Sequence, residues 1–298
     1  MKWIIASLFV LSAWHSSRGQ NQTARELAPG VFYYFGDELK HRSANCVWVV
    51  FKDYVVVIDA NYPWAAKEIL QEIRKTTDKP VRFVLNTHYH HDHSFGNGVF
   101  VDAGATIVST TAAANEMKTL GKKEWSENYS GQPLDGFTQV LPSLTFDSTL
   151  IFDDGIHRIE FVRMGPAHTQ GDAVAYLPHE SILITGDLFV NGNPWGNNVA
   201  DPDADYDRWV KVLDTLFSWS VKTIVPGHGE ITSSATLTLQ RDYLADMLAQ
   251  VIQCIRKGKS VDETVRSVNL SSYPGYGTNK ISTDRSVRAM YQHLSSKR

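Results

Sequence analysis

Four histidines and an aspartate crowd into His88-Tyr89-His90-His91-Asp92-His93, and no other feature of the 298-residue chain constrains its fold more. The cluster follows at once on residues 81–85, a short apolar run that reads as a buried strand. Residues two apart on an extended segment point to the same side, so His88 and His90 can grip one metal ion together. Asp92 and His93 come next and, after a turn, can face a second. Imidazole nitrogen and carboxylate oxygen are both good zinc ligands. By the same alternation His91 faces away and reads as structural. Residues 94–98 are small and polar, as a tight loop leading into a helix should be.

Three further metal-type residues stand just past β-runs, each flanked by glycine or proline: His168 in Gly165-Pro166-Ala167-His168, Asp187 in Thr185-Gly186-Asp187, and His228 in Pro226-Gly227-His228-Gly229. Loops at strand ends are where a rigid scaffold presents functional groups. Each residue alone is a weak signal; with the cluster they make a set of seven.

The rest of the chain supplies such a scaffold. Strands are expected over residues 31–35, 47–51 and 54–58, and a helix over 64–74, where Ala65, Ile69 and Ile73 fall at helical spacing. A strand over 106–108 leads into a helix over 111–120 that Gly121 is expected to stop. Residues 122–142 read as a polar surface excursion. Strands resume at 150–152, 157–163, 173–177, 182–185 and 223–225, with a helix over 205–217 before the last. This mixed order of strands and helices, with metal-type residues at strand ends, predicts a layered α+β sandwich with helices outside.

After residue 233 the pattern becomes helical throughout. Leu244, Met247, Leu248, Val251, Ile252 and Ile255 form a stripe that Gly258 can end, Ser260-Val261-Asp262-Glu263 resembles a capping box, and 283–294 can form a third helix. The expected organisation is therefore a leader over 1–19, a catalytic sandwich over 28–233 and a helical C-terminal extension over 234–298.

The leader rests on Lys2, the apolar run from Trp3 to Trp14 and the small residues Ser17 and Gly19, the layout of a secretory signal peptide. That run is shorter than the ~20 residues a spanning helix needs. A secreted or periplasmic protein with no membrane anchor after cleavage is expected. The net charge of −3 gives no basic enrichment of the kind nucleic-acid binders show. The expected partner is a small-molecule substrate, with the helical extension as the candidate surface for self-association. The two cysteines, Cys46 and Cys254, could pair in an exported protein, but two cysteines so far apart are a weak signal for a bridge, and Cys254 reads as a small apolar residue of a helix.

The H-x-H-x-D-H cluster, followed in order by His168, Asp187 and His228, resembles the metallo-β-lactamase superfamily over about residues 28–231. That resemblance implies a four-layer αββα sandwich with two zinc ions in a cleft between its halves. It places His88, His90 and His168 on the first zinc, Asp92, His93 and His228 on the second, and Asp187 between them, as in glyoxalase II-like members. Residues 193–201 resemble the loop in which an asparagine of the single-cysteine zinc β-lactamases helps bind the lactam carbonyl, which assigns that contact to Asn197. Residues 36–45 resemble their flexible loop over the cleft. The chain departs from those enzymes twice: Asp187 stands where they carry a cysteine ligand, and Val190 where they carry a lysine that holds the substrate carboxylate.

The resemblance implies hydrolysis of a small ester, thioester, lactone or cyclic amide, β-lactams included, by a water activated at the metals. Asp92 would orient that water while serving as a ligand. No serine-nucleophile elbow, phosphate-binding loop or dinucleotide fingerprint competes with this reading. The same donors suit iron or manganese, so the rival reading is an iron-dependent oxidoreductase of the same fold acting on oxygen or sulfur compounds, although no flavodoxin-like pattern follows the sandwich.

Overall fold

A computed structural model describes residues 24–36, 44–128, 131–192, 204–219, 221–276 and 279–296. The leader and Asn197 therefore lie outside the described residues, as does most of the hairpin loop over 36–45.

The strands form two sheets. The first holds seven, in the order β1 to β7: β1 (Arg25–Ala28), β2 (Val31–Tyr34), β3 (Cys46–Val50), β4 (Val55–Ile58), β5 (Val81–Leu85), β6 (Thr106–Thr110) and β7 (Leu144–Phe146). β1 to β4 run antiparallel, and β4 to β7 are mutually parallel. The second sheet has five strands in the order β12-β11-β10-β9-β8: β8 (Thr149–Asp153), β9 (Arg158–Arg163), β10 (Ala173–Leu177), β11 (Ile182–Ile184) and β12 (Thr223–Val225). Among its described strands β11 pairs with β12 in parallel, and the other neighbours are antiparallel.

Alternation along the strands decides what each face buries. Val47 and Val49 of β3 face the second sheet, where they join Val56, Ile58, Leu85, Phe161, Ala175 and Val225 in the central layer. Cys46 and Trp48 of the same strand face outward, onto Ile69 and Ile73 of α1 (Pro63–Thr76) and Phe100 of α3 (Asn97–Asp102). On the outer face of the second sheet, Val174, Leu183 and Ile224 meet Trp209, Leu213 and Leu216 of α6 (Tyr206–Ser218). The result is an αββα sandwich. Each fully buried side chain of this kind contributes about 1.5–3 kcal/mol relative to its exposed state.

The C-terminal helices α7 (Ser234–Arg256), α8 (Val261–Ser267) and α9 (Lys280–Ser296) share that outer core. Leu237, Leu244 and Met247 of α7, Val265 of α8 and Val287 and Met290 of α9 belong to the same apolar cluster as α6. The Ser260–Glu263 capping box forms as its sequence predicts. Both cysteines are buried and unbridged. No helix among the described residues is long and apolar enough to cross a membrane.

The structure corrects three local expectations. Gly121 does not stop the helix after β6: α4 (Thr111–Glu116) passes through a π-helical turn at Met117–Gly121 into α5 (Lys122–Ser126). Gly121 has φ −62°, ordinary helical geometry, and a glycine ends a helix only where the chain turns left-handed after it. The excursion therefore begins with a helical turn. Strands β1 and β7 had no clear signal. Arg25–Ala28 is half polar, and Leu144–Phe146 is three residues long with Leu144 exposed, so neither shows the apolar periodicity of a buried strand.

Candidate metal centre

The cluster 88–93 leaves the C-terminal end of β5 and is held by amides and backbone. Asn86 and Asn97 exchange two side-chain hydrogen bonds of 3.0 Å, and Asn86 Nδ2 also donates to the His93 carbonyl at 3.1 Å. The chain turns at His90 into a single helical turn, α2 (His91–Ser94), and the Ser94 hydroxyl closes it back onto the carbonyls of Tyr89 and His90. The turn brings Asp92 and His93 to His228, while His88 and His90 lie against His168.

The other loops converge on the same point. Asp172 pins the His168 loop, accepting from the amide and hydroxyl of Thr169 at 2.9 and 2.7 Å. Asp187 sits in a short 3-10 turn, Gly186–Leu188, at the end of β11. His228 follows β12, where Asn45 Nδ2 donates to the carbonyls of Pro226 and Gly229. Two glycines are sterically required. A Cβ on Gly186, which has φ +52°, would lie 2.4 Å from Thr87 Oγ1, and one on Gly227 would lie 1.9 Å from Asp187 Oδ1. The glycines beside these ligands let the two sheets' loops touch.

Seven side chains gather as two groups, His88 with His90, His168 and Asp187, and Asp92 with His93 and His228. In the first, His88 Nε2 and His168 Nε2 lie 3.0 and 3.2 Å from His90 Nδ1, and His168 Nε2 lies 3.8 Å from Asp187 Oδ2. In the second, Asp92 Oδ2 lies 3.0 Å from His228 Nε2 and 4.0 Å from His93 Nε2. The other oxygen of Asp187, Oδ1, is 3.2 Å from His93 Nε2 and 3.5 Å from His228 Nε2. Asp187 thus turns one oxygen to each group. Tetrahedral zinc with ligands at 2.0–2.1 Å spaces them about 3.3 Å apart, and these separations bracket that value.

The hydrogen bonds fix which nitrogens point inward. Thr87 gives its hydroxyl proton to Asp59, so toward His88 Nδ1, 3.1 Å away, it can only accept. That leaves a lone pair on His88 Nε2, in the middle of the first group. His93 gives its Nδ1 proton to Asp59 Oδ2 at 2.8 Å, which turns Nε2 to the second group. His93 Nε2 and Asp187 Oδ1 are both buried without a hydrogen bond of good geometry. Buried polar atoms of this kind, aimed at one another across the gap a cation would fill, fit a metal centre.

The electrostatics of the two groups are opposed. Burial, then the neighbouring imidazoles, hold His88 and His90 well below the usual histidine range. Burial also depresses His93, but Asp187, Asp59 and Asp92 outweigh it and lift the imidazole to about 10. Burial alone would raise both Asp92 and Asp187. Instead His93, His91 and His228 hold Asp92 well below the usual carboxylate range, and His228, His93 and His168 do the same for Asp187. Carboxylates surrounding inward-facing imidazoles make the cleft cation-seeking.

A match to the family model for the metallo-β-lactamase superfamily spans residues 39–228, from before β3 to the last of the seven. The chain belongs to the metallo-β-lactamase superfamily. This is a family of metal-dependent hydrolases, and the His/Asp cluster is the candidate metal site in this member. The chain is 25% identical over 275 residues to a linear primary-alkylsulfatase of Pseudomonas sp., covering 76% of this chain and 51% of that one, so it spans about half the length of that relative. It is 27% identical over 194 residues to the type 2 metallo-β-lactamase of Bacillus cereus, covering 64% and 68% respectively. Among solved structures, the metallo-β-lactamase of Pontibacter korlensis superposes with a TM-score of 0.62 at 22% identity over 74% of this chain and 98% of that one, a likeness of fold.

His91 belongs to neither ligand group, although its Nδ1 lies 3.4 Å from Asp92 Oδ1. Its ring lies parallel to that of Tyr62 at 5.6 Å, with Nδ1 2.8 Å from the Tyr62 hydroxyl, and its amide donates to Glu124 Oε2 of α5. Val190 is a buried apolar residue, so the position that carries a substrate-binding lysine in the similar zinc β-lactamases offers no cation here. The residue the sequence reading missed is Asp59, which holds His93 and also accepts from the Thr87 amide and hydroxyl. It follows β4 directly and so carries the same signal as Asp187, an acidic residue at the end of an apolar strand. With φ +64°, it adopts a left-handed conformation that aspartate tolerates better than most residues.

Proposed function

We propose that this protein is an exported dinuclear-zinc hydrolase that cleaves a small ester, thioester, lactone or β-lactam. The observation that carries the proposal is the Asp187 carboxylate, with one oxygen toward His168 and the other toward His93 and His228. His88, His90 and His168 would hold one zinc, Asp92, His93 and His228 the other, and Asp187 would span them. When bound, the two ions would lower the pKa of a water toward neutrality and polarise the scissile carbonyl.

The chain's own residues supply orientation and charge. Asp92 remains a carboxylate across the neutral range and is the candidate group to orient the attacking water and receive its proton. Thr87 and Asp59 fix the ring orientations of His88 and His93, and such partners raise ligand basicity. The apolar Val190 favours substrates that need no carboxylate clamp at that position, which ranks lactones and esters above β-lactam antibiotics. Export rests on the leader-like residues 1–19. We place the mature protein, from Gln20, in the periplasm or outside the cell, acting on a small molecule.

The test is to purify the mature chain, determine its metals, and assay a chromogenic cephalosporin, an acyl lactone, a thioester and an alkyl sulfate with and without chelator. The alkyl sulfate enters because the similar Pseudomonas protein is an alkylsulfatase. Two zinc ions per chain with chelator-sensitive turnover of a carbonyl substrate is the expected result. Turnover of the alkyl sulfate alone would overturn the carbonyl assignment, and iron with redox activity would overturn the hydrolase.

A further inference from the structure

The loop that carries Asp187 is tied down by residues far along the chain. Gln240, in α7 and fully buried, sets its side-chain amide against the backbone of that loop: Oε1 accepts the Val190 N–H at 2.9 Å and Nε2 donates to the Leu188 carbonyl at 2.8 Å. The indole of Trp209 in α6 donates to the same Leu188 carbonyl at 2.9 Å. Tyr276, in the segment between α8 and α9 and also buried, donates its hydroxyl to the Val190 carbonyl at 2.7 Å. Both backbone groups of Val190 and both lone pairs of the Leu188 carbonyl are thereby used by side chains, in a stretch that no strand pairs.

The tie extends to the second ligand loop. The next residue, Asn191, donates its amide to the His228 carbonyl at 2.9 Å and its side chain to the Glu230 carbonyl at 2.7 Å. The order along the backbone is Asp187, the doubly clamped Leu188 and Val190, then Asn191 against His228. A clamp on Leu188 and Val190 fixes where Asp187 and His228 sit relative to each other. The ligands His88, His90, Asp92 and His93 hang from the first sheet and touch none of these partners. A buried amide is a costly choice for filling space, since its polar atoms must all be satisfied, whereas an apolar side chain of the same size would fill it freely.

We propose that Gln240 and Tyr276 are positioning residues for the metal centre: the C-terminal helices, packed outside the sandwich, set the geometry of Asp187 and His228 and so tune the affinity of the second metal. The inference rests on the reading of Asp187 and His228 as ligands. Loss of Gln240 or Tyr276 should weaken the second metal, whose His228 is tied to the clamped loop through Asn191, more than the first; the one clamp residue that packs against a histidine of the first group, Trp209 on His168 at 5.1 Å, stays in both variants.

The test compares Gln240→Met, which keeps the volume and removes both hydrogen bonds, and Tyr276→Phe, which removes only the hydroxyl, with the full-length wild type. Zinc binding is titrated against a competing chelator, and Val190 amide exchange is followed in the metal-free protein by NMR. The expected result is that the second zinc weakens by about 10-fold, the lower end of what outer-shell losses cost, while the first changes by less than about 3-fold. The Val190 amide should exchange faster in Gln240→Met. Equal weakening of both zincs, or unchanged affinities in variants whose Val190 amide is deprotected, would overturn the proposal. If Gln240→Met fails to fold, Tyr276→Phe decides alone, by the same difference between the two sites. A wild type that binds a single zinc would overturn the dinuclear reading itself, a result separable from any effect of the variants.

Discussion

The two halves of the candidate metal centre are built in different ways. The first sheet delivers four of the seven side chains from six consecutive residues, locked by the nearby Thr87, Asn86, Asn97 and Ser94 and by Asp59 at the end of β4. The second sheet delivers His168, Asp187 and His228 from three separate loops, held by Asp172, by close glycine contacts and by side chains as distant in sequence as Gln240, Tyr276 and Asn45. A contiguous ligand set needs only one turn to be right. A dispersed one needs the whole sandwich and its outer helices to be right.

The largest effect should come from breaking a ligand in each half in turn. His90→Ala should cut turnover by more than about 100-fold, beyond the usual loss from an outer-shell partner, and should remove zinc from the first group while the second retains its own. His228→Ala should do the reverse. Metal analysis of the two variants beside their rate constants checks this, and loss of both zincs in both variants would show that the halves are not separable.

Asp59→Asn asks whether the local network matters as much as the ligands it serves. The substitution removes the charge that His93 and Thr87 lean on inside a buried site. The second zinc should weaken by about 10–100-fold, the usual cost of losing a ligand's outer partner. Chelator competition measures it. An unchanged affinity would mean that the Asp59–His93 contact only fills space.

Acid and base should separate the halves as well. In the metal-free protein His93 is raised to about 10 by its carboxylates, so it is protonated in the fold and largely neutral when unfolded above pH 6.5. Its contribution to stability is complete below about 6.5 and is lost as pH rises through about 10. His88 and His90 are depressed, so unfolding takes up protons at them and their effect on stability worsens as pH falls below about 6.5. Denaturation of the metal-free protein across pH 4–11 should show losses at both ends, and His93→Gln should flatten the alkaline one most, since it also removes a charge that depresses His88. Zinc binding to the second group near pH 8 should displace about one proton from His93, measurable by calorimetry in buffers of different ionisation enthalpy.

The smallest effect belongs to the outer helices themselves. Ser260→Ala removes the cap of α8, far from the ligand loops, and should cost about 1 kcal/mol of stability with zinc affinity and turnover unchanged. A change in metal affinity there would mean that the helices act on the centre as one body and not through Gln240 and Tyr276.

Much of this was legible before any coordinates. The seven candidate ligands, the layered sandwich, the α6 stripe and the Ser260 capping box all rest on local pattern: spacing, periodicity and strand ends. The illegible parts share one property. β7 exists because β6 offers an edge to pair with, Gly121 continues a helix because nothing there demands a left-handed turn, and Gln240 is an unremarkable polar residue in an apolar stripe until the Leu188–Val190 loop lies against it.

The sequence by itself determined which residues could bind metal and that strands would present them, because ligand chemistry and hydrophobic periodicity are properties of short stretches of chain. Only the tertiary structure decided that Asp187 faces both groups, that Asp59 orients His93 and that α7 grips the ligand loop. Those are distances between segments tens of residues apart, set by how two sheets and their outer helices pack, and no local pattern encodes them.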